Sequence, residues 1–286
     1  MTPVPSDPSR QWPDLRPVGA DLPLRDYLVE AWRRREFAIT VPLGELRAQN
    51  QDTALGQLWH LLNPLFLVGV YFVIFDVILD VSERGGVQNF LAFLLVGVVT
   101  FNYTRTAMQS GARMIVKNRN LMQSINFPKV ILPVSALVTE TYTHLFAIPV
   151  MWLLLILTGV RPSFAWLLVV PIVIVQAAFN LGLGMATARM TFHFRDVEQV
   201  LPYALRIWFY MSGVIFPVTD RLITNETLLF VLRLNPMFSI IEMSRAAFID
   251  GRFDAGYWAT SCIWALAVLG LGFWFFRRAE SEYSRV

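Results

Sequence analysis

Residues 164–190 read FAWLLVVPIVIVQAAFNLGLGMATARM, with Arg189 as the only charged side chain. An α-helix needs about 20 apolar residues to cross a hydrocarbon core about 30 Å thick, and this stretch exceeds that. Five more segments of the same kind lie at about residues 58–79, 90–110, 130–157, 200–218 and 258–276. They account for a chain of 286 residues that is 55% hydrophobic and only 16% charged, well below the roughly 25% charged residues of soluble domains. The reading is an all-α integral membrane protein with six transmembrane helices. Pro64, Pro133 and Pro149 fall inside spans, where neighbouring helices and hydroxyl side chains can satisfy the freed carbonyls. Trp59, Trp166, Tyr203, Tyr257 and Trp258 stand near span ends, where amphipathic rings favour the interface.

Working outward to the N-terminus, residues 1–23 are proline-rich and charged and read as a disordered tail. Residues 24–57 read as amphipathic interface helices, the first carrying Arg33-Arg34-Arg35 opposite Leu28, Ala31 and Trp32. Such a helix lies on lipid headgroups or is simply solvated. A second short polar helix is expected over residues 43–53. No apolar stretch in the first 57 residues suits a cleavable signal peptide. The spanning domain occupies residues 58–286. If the N-terminus is cytoplasmic, the inside connections carry sixteen Lys and Arg residues and the outside ones six, which orients both termini to the cytoplasm.

Two connections are more than linkers. Residues 113–125 place Met114, Ile115, Val116, Leu121, Met122 and Ile125 among Arg113, Lys117 and Arg119, with no acid between Ser110 and Val130. This is a short amphipathic cytoplasmic helix suited to a groove on a partner, or a loop whose charge sets topology. Asn126-Phe127-Pro128 ends it, because the residue before proline leaves the helical region. Residues 217–256 are too apolar for an ordinary external loop and too interrupted to cross. A helix is expected to start after Asn225, and a second at Asn235-Pro236, a cap followed by proline at the first helical position, running to about Ile249. The pair reads as two short helices dipping into the outer leaflet, or as a folded external hairpin.

Several chemistries are excluded or unsupported. The chain lacks G-x-x-x-x-G-K-[ST], so it has no P-loop cradle for a nucleotide, and it lacks H-E-x-x-H. The net charge of +3 forms no basic stripe, which argues against nucleic acid. Cys262 is the only cysteine, so no intrachain disulfide and no cysteine metal site exist. Glu140 and His144 share a face of the third span, and Asp76 and Arg105 fall within or near spans. Ionisable groups there are functional suspects, with structural pairing the plainer reading. Gly182-Leu183-Gly184, with Ala178 and Ala186, is a strip that permits close helix packing.

In this order of parts, the chain resembles the permeases of ABC polysaccharide exporters, the Wzm-type O-antigen, teichoic-acid and galactan exporters. The resemblance covers about residues 24–280. It rests on Leu55-Gly56-Gln57-Leu58-Trp59, Asn63-Pro64-Leu65, Asn126-Phe127-Pro128-Lys129-Val130-Ile131-Leu132-Pro133, Arg195-Asp196-Val197, Gly213-Val214-Ile215-Phe216-Pro217, Asn235-Pro236-Met237 and Glu242-Met243-Ser244-Arg245.

The resemblance implies a homodimer in the cytoplasmic membrane, bound to two copies of a nucleotide-binding ABC ATPase that supplies ATP and Mg chemistry; no cofactor belongs to this chain. Residues 113–125 would be the coupling helix, with Arg113, Met114, Lys117, Arg119, Leu121 and Met122 against the ATPase. Residues 217–256 would hold two re-entrant outer gate helices. The substrate would be a glycan on an undecaprenyl-type lipid pyrophosphate. Phe75, Phe101, Tyr103, Trp208 and Tyr210 are candidate liners of its channel, and Arg33, Arg34, Arg35 and Arg47 candidate contacts of its pyrophosphate. Membrane lipids are the surrounding partner. A drug-export permease shares the architecture, and a membrane-embedded lipid or glycan transferase built on Glu140 and His144 is the alternative from a different class.

Overall fold

The computed structural model describes residues 24–33, 58–81, 86–119, 122, 127–218 and 225–283. Among them every element is helical: α1 (Leu24–Arg33), α2 (Leu58–Phe72) with a π-helical continuation (Val73–Ile78), α3 (Phe90–Lys117), α4 (Ile131–Leu157), a 3-10 segment (Phe164–Leu168) leading into α5 (Val169–His193), α6 (Val197–Met211), α7 (Glu226–Leu234), α8 (Pro236–Phe248), α9 (Ala255–Arg277) and α10 (Glu280–Tyr283). The disordered-tail reading of residues 1–23, the helix at residues 43–53, and Arg34, Arg35, Arg47 and Leu121 lie outside the described residues.

Four of these helices are long and apolar enough to cross a membrane: Phe90–Lys117, Ile131–Leu157, Phe164–His193 and Ala255–Arg277. The starts follow local capping chemistry. The Asn89 carboxamide oxygen accepts the Ala92 N–H at 3.1 Å, and its nitrogen donates to the Thr158 carbonyl at 2.9 Å, tying the start of α3 to the end of α4. Asp254 caps α9 by accepting from Gly256 and Tyr257. On α4, the hydroxyls of Thr139, Thr141 and Thr143 each return to the carbonyl four residues back, which keeps them satisfied without water.

The expected span at residues 200–218 is shorter than drawn from the sequence. Helix α6 stops at Met211, because Gly213 takes the left-handed conformation (φ +65°), which ends a helix at little cost only at glycine. Val214 and Ile215 beyond it are fully buried in the turn. By its 15 residues α6 is about 22 Å long.

Helix α5 is central, with α9 and α3 along its length and α4 against both α3 and α5. The small-residue strip is the reason. A Cβ placed on Gly182 would meet the Val268 carbonyl oxygen at 2.3 Å, one on Gly272 the Gly182 oxygen at 2.1 Å, and one on Gly111 the Gly184 Cα at 2.6 Å. Backbone thus touches backbone at two crossings, the packing mode small residues permit in a membrane. Polar side chains lock the same contacts: Gln176 donates to the Thr100 carbonyl at 2.7 Å and to the Thr104 hydroxyl at 3.0 Å, and Thr187 donates to the Met108 carbonyl at 3.2 Å.

Candidate functional site

Three regions gather the residues singled out from the sequence: a junction of the two chain ends, the α7–α8 hairpin and an aromatic face.

At the junction, Phe127-Pro128-Lys129-Val130-Ile131-Leu132 is buried and joins both ends of the chain. The Lys129 N–H donates to the Glu280 carboxylate of α10 at 2.9 Å, the Val130 N–H donates to the Tyr27 hydroxyl of α1 at 3.2 Å, and the Lys129 ammonium donates to the Met122 carbonyl at 3.3 Å. Burial pushes the Glu280 carboxyl up and the Lys129 ammonium down, as desolvation disfavours both charged forms. Tyr27, Met114, Ile115, Met122, Phe276, Ala279 and Tyr283 fill out one apolar cluster.

This junction corrects two expectations. Residues 113–117 are not a separate helix but the last turn of α3, which runs on past Ser110 to Lys117. Met114 and Met122 do not face a partner either: they are buried against α1, α4, α9 and α10 of the same chain, because those apolar ends need a cover and this segment supplies it. The exposed side chains of the segment are Arg113, Val116, Lys117 and Arg119. Arg113 pairs with Glu198 at 2.8 Å, linking the end of α3 to the first turn of α6. Arg33 lies exposed in the last turn of α1.

In the α7–α8 hairpin, Asn235 behaves as read from the sequence. Its carboxamide oxygen accepts the Met237 N–H at 3.0 Å with Pro236 at the first helical position. The same oxygen accepts the Trp208 indole N–H at 3.0 Å, and the amide nitrogen donates to the Met211 carbonyl and the Ser212 hydroxyl, each at 3.0 Å. One residue thereby caps α8 and clips it to the end of α6. Arg245 is 4% exposed and is the second fastening. It donates to the carbonyls of Phe93 (3.2 and 3.3 Å), Gly213 (2.9 Å) and Val214 (3.0 Å), and to the Glu242 carboxylate at 2.7 Å. Its guanidinium lies over the Phe93 ring at 3.3 Å. Gly97 makes the room: a Cβ there would sit 2.7 Å from the Arg245 Nη2.

The aromatic face is built on α2 and α6. Tyr71 stacks on Phe209 at 5.5 Å, meets Phe75 edge-on at 6.0 Å and shares a hydroxyl–hydroxyl hydrogen bond of 3.3 Å with Tyr210. Tyr203 and Tyr210 are exposed, and Tyr71, Phe75 and Trp208 partly so.

Residues 43–249 match the ABC-2 type transporter family. The chain belongs to that family. This ABC-2 transporter is 30% identical over 224 residues to the O-antigen export system permease protein RfbA of Myxococcus xanthus, covering 78% of this chain and 84% of that one. It is 22% identical over 252 residues to the O-antigen export system permease protein RfbA of Klebsiella pneumoniae, covering 88% and 95%. It is 23% identical over 222 residues to the polysialic acid transport protein KpsM of Escherichia coli, covering 75% and 81%. These relatives bear out the resemblance to Wzm-type polysaccharide-exporter permeases, and the family with the apolar helices makes this a multi-pass membrane protein.

Two of the five aromatic residues singled out from the sequence of this ABC-2 transporter are not on its aromatic face. Phe101 and Tyr103 are each 1% exposed. Phe101 is enclosed by Trp208 and Phe209 at 5.8 and 5.1 Å, and Tyr103 stacks on His144 at 4.5 Å with its hydroxyl on Thr141. Glu140 accepts from the Ser110 hydroxyl. Glu140 and His144 therefore each tie α4 to α3 separately. Tyr71 was missed, although its place on the first span's face and its spacing from Phe75 were visible in the sequence.

Proposed function

We propose that this ABC-2 transporter is the transmembrane subunit of an exporter that moves a lipid-linked polysaccharide of O-antigen, teichoic-acid or galactan type across the cytoplasmic membrane, using ATP and Mg bound by a separate ABC ATPase subunit. Its relatives, two named for O-antigen export and one for polysialic acid transport, carry this reading. The exposed Tyr210 ring and the half-buried Tyr71 and Phe75 rings support it, because sugar faces stack on aromatic rings without demanding one register. The channel then runs between two copies of the chain, along α2 and α6, with Phe101 backing α6 through Trp208 and Phe209. The end of α3, with Arg113, Lys117 and Arg119 outward, meets the ATPase, and the Arg113–Glu198 pair passes its movement to α6. The hairpin α7–α8 serves as the outer gate, and the lipid pyrophosphate meets the basic N-terminal region that includes Arg33. Deleting the gene is expected to leave lipid-linked glycan accumulating inside the cell, read by extracting it from membranes and assaying protection from an external glycosidase. Unchanged surface glycan overturns the proposal.

In this reading the membrane is crossed six times, α2 and α6 adding to the four long helices, with both termini cytoplasmic. Cysteines at Gly86 and Arg161, introduced after Cys262 is replaced, are expected to react with an impermeant maleimide from outside intact cells. A cysteine at Lys117 is expected to react only after the membrane is opened. Labelling of Lys117→Cys in sealed cells refutes this orientation. Arg161 and Gly86 are exposed, whereas the neighbouring Ser163 is half-buried against Gly251 and would label poorly.

A further inference from the structure

Sixteen of the 24 Lys and Arg residues lie in the inside connections and six in the outside ones; the remaining two, Arg105 on α3 and Arg206 on α6, lie within spans. Arg206 stands one turn before Tyr210, whose hydroxyl meets that of Tyr71 at 3.3 Å, and Arg105 one turn after Phe101, whose ring packs on Trp208 and Phe209, so both stand beside the aromatic face. Arg206 is exposed, makes no hydrogen bond or ion pair among the described residues, and shares its side of α6 with the exposed Tyr203, Ile207 and Tyr210. It stands about 13 Å along the helix from Val197. The Arg105 guanidinium donates to the Asn102 carboxamide at 2.5 Å, but its Nε is buried with no acceptor among the described residues. A guanidinium turned to hydrocarbon is costly, and such groups in membranes face water, protein or an ion path. Arginine remains charged in every protein environment and presents a donor fork that fits phosphate and carboxylate.

We propose that Arg105 and Arg206, together with the Tyr71 and Tyr210 hydroxyls, form an anion-recognition site within the transport path, taking phosphate or carboxylate groups of the transported molecule. The site rests on the function proposed above and adds a step to it. The rings of the aromatic face bind sugar in any register, and the two guanidinium groups hold an anion as it passes the middle of the membrane. That anion is either the pyrophosphate of the lipid carrier or acidic sugars of the polymer.

The full-length chain in lipid nanodiscs, titrated calorimetrically with farnesyl pyrophosphate, trigalacturonic acid and neutral maltotriose, tests the site. One or both anions are expected to bind and maltotriose to bind far more weakly. Arg206→Gln is expected to weaken the anion by about ten-fold or more, the loss of a hydrogen bond to a charged group. Arg206→Lys is expected to retain part of the affinity. Binding of farnesyl pyrophosphate identifies the carrier as the source, and binding of trigalacturonic acid identifies the polymer. Arg105→Gln disturbs a half-buried residue, so the exposed Arg206 decides the outcome, with a thermal melt confirming that the variant is folded. Equal binding by wild type and Arg206→Gln overturns the site, as does no binding of either anion. Glycan export in cells separates the two readings. If the deletion strain still exports glycan, the proposed function fails; if it does not, and Arg206→Gln both binds and exports as wild type does, only the anion site fails.

Discussion

Gly182→Leu is expected to abolish assembly of the helical bundle, while Gly270→Leu on the facing helix leaves it intact. At Gly182 the first side-chain atom already lies 2.3 Å from the Val268 oxygen and 2.5 Å from its carbonyl carbon. Both are backbone atoms, so no rotamer change relieves the clash; α5 and α9 must move apart and give up the most extensive helix contact among the described residues. Overpacking a core ordinarily costs about 1–3 kcal/mol, and a forced separation of two backbones belongs at or above the upper end of that range. Nothing lies within 4 Å of a Cβ on Gly270. Thermal unfolding in detergent and the amount of protein recovered from membranes read the difference. The milder pair Gly111→Ala and Gly184→Ala gives an internal control, since the first meets Gly184 Cα at 2.6 Å and the second finds its nearest atom at 3.7 Å. A Gly182→Leu protein that melts with wild type rules out the α5–α9 crossing.

Arg245→Met is expected to release the α7–α8 hairpin and lower stability by about 3–5 kcal/mol, the cost of removing one partner of a buried, hydrogen-bonded charge pair. The Gly213 and Val214 carbonyls lie beyond the end of α6, where helical partners are missing, and the arginine fork supplies donors to both while also reaching Phe93 and Glu242. Methionine has similar bulk and no donors, so Glu242 stays 22% exposed without its cation. Arg245→Lys is expected to recover only part, because one ammonium cannot span carbonyls on two elements. The comparison variant is Arg252→Gln: its pairs with Asp250 and Asp254 are exposed at 3.2 and 2.6 Å and such pairs contribute at most about 1 kcal/mol. Limited proteolysis from outside, cutting between α7 and α8, and glycan export together read the effect. If Arg245→Met resists the protease as wild type does, the hairpin is held by something other than this arginine.

Much of the plan was legible from composition. Apolar length gave away the four long helices, and Asn235-Pro236 the start of α8. The small-residue strip was read as packing, and the structure shows two backbone crossings there. The motifs behind the family resemblance also acquire physical roles, since Asn235 and Arg245 are the two fastenings of the hairpin and Phe127–Leu132 the seal of the junction between the chain ends. The buried positions of Phe101 and Tyr103, the inward faces of Met114 and Met122, and the early end of α6 were not legible. In a soluble helix the apolar side marks the core, but lipid tails are as apolar as a protein interior. An exposed Leu266 and a buried Leu155 therefore carry the same sequence signal.

What the sequence by itself determined is the class of the molecule, its family and the capped helix starts, because each depends on residues within a turn or two of one another or on length alone. Which rings stay exposed and which pin helices together was decided only in the tertiary structure. Arg245 draws its partners from residues 93, 213 and 214, Lys129 finds Glu280 at the far end of the chain, and Tyr71 meets Phe209 and Tyr210. Those meetings are set by how helix faces with indistinguishable hydropathy pack around Gly182 and Gly272, and a one-dimensional pattern of apolar residues does not contain that choice.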